Sequence, residues 1–60
     1  MKIKIVGALP QMLKDMGVKP GDKFDAEPAP NTTLGAVMFK VNVDGELQWA
    51  TVWPENFKKI

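Results

Sequence analysis

From Gly35 to Ile60 the chain reads as two alternating arms around Asp44-Gly45, and this ribbon limits the possible folds more than any other segment. Side chains alternate across a strand, so each arm has two rows. On the first arm Val37, Phe39, Val41 and Val43 share one row, with Ala36, Met38, Lys40 and Asn42 behind them. On the second, Leu47, Trp49, Thr51 and Trp53 share a row, with Gln48, Ala50 and Val52 opposite. Two registers are open. A two-residue Asp44-Gly45 turn sets Trp49 across from Lys40. A three-residue Val43-Asp44-Gly45 loop, with Gly45 left-handed, sets Trp49 across from Phe39, Leu47 from Val41 and Thr51 from Val37. A slip of one residue exchanges the faces, and each large apolar side chain gains roughly 1.5–3 kcal/mol when buried. Burial therefore selects the three-residue loop with a glycine bulge, against the tighter turn that the dipeptide itself favours.

The remaining elements follow from local chemistry. Met1 to Val6 alternates Ile3 and Ile5 with Lys2 and Lys4, as a half-buried strand does. Leu9 to Met16 is expected to form a short helix, with Pro10 in its first turn and Gly17 as its stop. Leu9, Met12, Leu13 and Met16 supply one apolar stripe for docking. Lys19-Pro20-Gly21-Asp22 has the residues of a type II turn, and Lys23 to Glu27 follows as a strand with Phe24 and Ala26 inward. Glu27 to Thr33, stiffened by Pro28 and Pro30, is the main loop. Pro54 cannot donate to a ladder and ends the hairpin. Pro54 to Phe57 is expected as a 3-10-like turn, and Lys58 to Ile60 as a short strand beside the first. The fold class is mainly β: a small five-stranded barrel or roll, with one short helix between its first two strands, spanning residues 1–60 as a single domain.

Sixty residues allow one thin core. With no Cys or His in the chain, neither disulfides nor a zinc site can reinforce it. Ser, Tyr and Arg are missing as well. The common nucleophiles, the usual neutral-pH base and the bidentate anion clamp are thus absent, which argues against an enzyme. No calcium-loop spacing or phosphate-binding glycine motif occurs, so no metal or cofactor is expected. Eight lysines against seven acids form a mixed surface with a formal net charge of +1. No apolar run is long enough to span a bilayer, and Met1 to Val6 is no signal-peptide core. The expectation is a cytoplasmic protein, monomeric or homodimeric.

Trp49, Trp53, Pro54 and Phe57 are the candidate partner-binding residues, because aromatics beside a proline make a ready apolar contact for another protein. Val18-Lys19-Pro20-Gly21-Asp22-Lys23-Phe24 resembles the diverging-turn region of Src-homology-3-like barrels. Trp53-Pro54-Glu55-Asn56-Phe57-Lys58-Lys59-Ile60 resembles their closing segment. That resemblance implies a peptide groove formed by Pro54 and Phe57 with Trp49 or Trp53. The family's tyrosine-containing motif is missing and Phe57 has no hydroxyl, which argues against the family's usual proline-peptide recognition. The chain is also similar in character to small phage and prophage proteins. A second resemblance, over Leu9 to Val41, is to the swapped-hairpin DNA-binding fold of the AbrB type. It implies an obligate dimer that binds DNA. The alternative function is thus a nucleic-acid-binding regulator, either such a dimer or a barrel using Lys2, Lys4, Lys14, Lys19 and Lys23.

Overall fold

The computed structural model describes residues 1–30 and 34–60; the end of the expected main loop, Asn31 to Thr33, lies outside the described residues. The fold is mainly β. Two small antiparallel three-stranded sheets face each other across the core. The first is ordered β2 (Lys23–Asp25), β1 (Lys2–Ile5), β6 (Phe57–Lys59), and the second β3 (Glu27–Pro28), β4 (Val37–Val43), β5 (Glu46–Val52).

The mainly β character and the short helix between the first two strands are as expected, but among the described residues six strands form rather than five, and the two sheets do not close into a barrel. Among the described residues no ladder joins the two sheets, and the expected Lys23–Glu27 strand divides at Ala26. Ala26 is the hinge between the sheets. Its N–H donates to the Met1 carbonyl at 2.7 Å, and its carbonyl accepts from the Met1 amino group at 2.8 Å. Its neighbours on either side belong to different sheets, so two residues beyond β2 the chain is already pairing with β4.

The helix α1 (Gln11–Asp15) is shorter than its apolar stripe suggests. Pro10 stays extended as its N-cap residue, and Leu9 precedes a proline, which disfavours helical backbone. At the other end Val18 N–H bonds the Leu13 carbonyl and Gly17 N–H the Lys14 carbonyl, both at 3.0 Å, with Gly17 at φ +85°. This paired closure satisfies two end carbonyls and buries Val18 with Leu13. So short a helix docks only a narrow stripe. Leu9 and Leu13 enter the core, whereas Met12 is 66% exposed, contrary to the expected four-residue face.

The expected type II turn is present: Asp22 N–H bonds the Lys19 carbonyl at 3.1 Å and Gly21 has φ +96°. A 3-10 turn at Pro54–Asn56 leads into β6, which pairs with β1 as expected.

The hairpin register corrects the sequence expectation. Val43 pairs with Glu46, Lys40 with Trp49 and Phe39 with Ala50, which is the two-residue Asp44-Gly45 turn. Both turn residues have positive φ, +52° and +86°, as the type I′ turn requires. The Asn42 side chain accepts from Gly45 N–H at 2.9 Å and holds the turn. Ala50 and Val52 therefore face inward and Trp49 outward. The reason is volume: Phe39 already stacks on Phe24 with ring centroids 4.2 Å apart, and the site across from it holds an alanine. A core built on Ile3, Ile5, Leu13, Val18, Phe39 and Val52 has no space there for an indole.

Candidate functional site

The outward row of β5 is built by the turn. With Ala50 and Val52 turned into the core, alternation puts Leu47, Trp49 and Thr51 on the outer face, and Trp53 continues the extended path beyond the strand. Leu47 is 67% exposed, Trp49 51% and Trp53 40%. Trp49 lies across from Lys40, whose Nζ sits 5.2 Å from the ring centroid, a cation–π contact that partly covers one face of the indole. Beside them runs a shallow groove of about 430 Å³, lined by Asp25, Ala26, Glu27, Met38, Lys40 and Trp49.

The four candidate partner-binding residues divide. Trp49 and Trp53 lie on the exposed side of the hairpin. Pro54 is exposed too, and its ring lies against Gly35, where an added Cβ would come within 3.3 Å of Pro54 Cγ. Phe57 is half-buried, pairs with Ile5 and packs on the core. Trp49 and Trp53, four residues apart along one row, and Pro54 after them are the part of the set that the fold leaves exposed.

β5 is also an edge strand. A two-residue turn pairs Val43 and Glu46 through their own backbone groups. Hydrogen-bonded and non-hydrogen-bonded pairs then alternate along an antiparallel ladder, so the N–H and C=O of Leu47, Trp49 and Thr51 point away from β4. The other outer strands carry the features that block further pairing: Lys23 and Asp25 on β2, Lys58 and Lys59 on β6, and Pro28 on β3. From Leu47 to Val52 β5 has neither a charge nor a proline.

The candidate lysines separate in space. Lys2, Lys4 and Lys23 lie on the outer face of the first sheet, whereas Lys14 is on α1 and Lys19 in the type II turn. The last two border an apolar cleft of about 520 Å³ between Gly7–Leu9 and Gly17–Pro20, and are its only ionisable lining groups.

Two structural features are invisible in the one-dimensional pattern. Lys58 joins the Lys4 row through sheet pairing. Asn56, 6% exposed, donates from Nδ2 to the carbonyls of Val6 at 3.1 Å and Ala8 at 3.0 Å, tying the Val6–Ala8 loop to the 3-10 turn. Gly7 lies in that loop at φ +79°, with Asn56 Nδ2 and Glu55 O each 3.2 Å from where a Cβ would stand.

Among the described residues no cluster of acids is arranged to hold a metal ion, and no helix is long and apolar enough to cross a membrane. Compared with protein-family models, curated proteins and solved structures, the chain matches none.

Proposed function

We propose that this protein is a non-catalytic interaction module that takes an extended segment of another protein along the open edge of β5. The backbone groups of Leu47, Trp49 and Thr51 pair with the incoming strand, and the side chains of Leu47 and Trp49 anchor it on the outer face. Strand addition of this kind draws affinity from main-chain hydrogen bonds and specificity from alternate side chains. The observation that carries this reading is the contrast between edges: the other three outer strands bear charge or proline along their length, whereas β5 beyond Glu46 at the turn bears neither and exposes Leu47 and Trp49. Trp53 extends the apolar contact past the strand end. A strand passing between two sheets at Ala26, and a 3-10 turn before the last strand, support reading the whole as an open Src-homology-3-like roll. In that reading the contact lies on the hairpin rather than in a groove involving Phe57.

Two variants test it. Trp49→Ala removes the anchor, and Thr51→Pro removes an N–H that serves no bond within the hairpin, a position where an edge strand tolerates proline. Both are expected to keep the wild-type circular dichroism spectrum and to lose a partner that immobilised wild-type protein retains from cell extract. Wild-type protein that retains nothing reproducibly, or Thr51→Pro that retains the same partner, overturns the proposal. A dimer in sedimentation that Thr51→Pro dissolves assigns the edge to a second copy instead.

A further inference from the structure

A different face carries a second site. In the first sheet Lys4 pairs directly with Lys23 on one side and with Lys58 on the other. Direct partners share a face, so three ammonium groups stand in one row across β2, β1 and β6. Neighbouring strands are about 4.8 Å apart, which places the row's ends about 10 Å from each other. Lys2 lies on the same face one row away, beside Asp25. All four lysines are exposed. The Lys2–Asp25 pair, at 3.9 Å and with both side chains largely in solvent, is the only ion pair among the described residues. Lys4, Lys23 and Lys58 thus have no acidic partner. Four lysines against one aspartate leave this face three positive charges in excess. The whole chain carries +1, so the rest of its surface is net acidic by two charges.

Like charges directly opposite each other on a sheet are destabilising, and a 60-residue fold has little stability to spare. A polyanion laid across the row removes that cost. We infer that the outer face of the β2–β1–β6 sheet binds the phosphodiester backbone of a nucleic acid. The chemistry fixes the mode. Lysines are point charges that meet phosphates without the planar fork that reads guanine. The face has no aromatic side chain on which an unpaired base could stack. The ligand is therefore a duplex, held by its phosphates and without sequence preference. Duplex DNA presents one charge per about 1.7 Å of axis, so a 10 Å row meets enough phosphates to engage all four lysines. This site is separate from the β5 edge and stands or falls independently of it.

The test is fluorescence anisotropy of a labelled short DNA duplex, titrated with the protein over a series of salt concentrations. Four neutralised phosphates give a slope of log affinity against log salt of about −3.6, or about 150-fold weaker binding for a fourfold rise in salt. The double variant Lys4→Gln/Lys58→Gln is expected to bring the slope to about −1.8, with an unchanged circular dichroism spectrum. Lys14→Gln/Lys19→Gln is expected to behave as wild type. The inference is overturned by no binding at low salt, by a wild-type slope in the Lys4/Lys58 variant, by an equal loss in the Lys14/Lys19 variant, or by binding to phosphatidylserine vesicles without binding to the duplex.

Discussion

Asn56 shows how much one polar side chain can organise in a fold this small. It is the sole polar residue fully inside among the described residues, and it spends both amide hydrogens on carbonyls that precede it by about fifty positions. Asn56→Ala leaves the Val6 and Ala8 carbonyls without that donor in a tight space. A buried group left unpaired costs about 1–3 kcal/mol, so the variant is expected to lose that much stability in urea unfolding. An effect near zero would show that water replaces the amide. Nothing in the local sequence announces this role. Pro54-Glu55-Asn56 reads as a turn, and it forms one, but the carbonyls that need Asn56 belong to a loop at the other end of the chain. Gly17 and Gly21 were legible for the opposite reason, since a helix stop and a type II turn are decided within four or five residues.

The elements differ in how far their sequences specify them. β1, the type II turn and the 3-10 turn leading into β6 follow from adjacent residues, and all are present. The hairpin pitted two rules against each other. Burial favoured Trp49 across from Phe39; turn chemistry favoured Asp44-Gly45 as a two-residue type I′ turn. The turn prevails because Phe24 already occupies the space beside Phe39, and that stack joins residues from two different sheets. The correction concerns Trp49 as a core residue, since its ring stands on the outer face. The Lys23–Lys4–Lys58 row was equally out of reach, because it exists only once β1 lies between β2 and β6. The row has a signature apart from any ligand. Lys4→Gln relieves two cross-strand repulsions and is expected to stabilise the fold by about 0.2–1 kcal/mol. Moderate salt should stabilise the wild type more than the variant, since screening acts on the same repulsion. Equal salt responses in thermal melts would show that the three ammonium groups hold apart in solvent.

For the molecule as a whole, stability rests on few side chains. A core of this size seldom supplies more than about 3–5 kcal/mol net, and Phe→Ala inside a core costs about 3–5 kcal/mol. Phe39→Ala is therefore expected to be largely unfolded at room temperature by circular dichroism. Trp49→Ala, which gives up an exposed ring and one cation–π contact, should stay folded and lose no more than about 1 kcal/mol. A folded Phe39→Ala would mean that the two sheets can close over the gap. The same contrast has an optical side. The two tryptophans are the chain's only indoles, tyrosine is absent, and both rings sit half in water on the hairpin's outer side. Emission from this protein is consequently blind to its interior. Melting the core would hardly shift the spectrum, whereas a strand settling against β5 would move it to the blue, so the molecule carries its own dye for docking and none for unfolding.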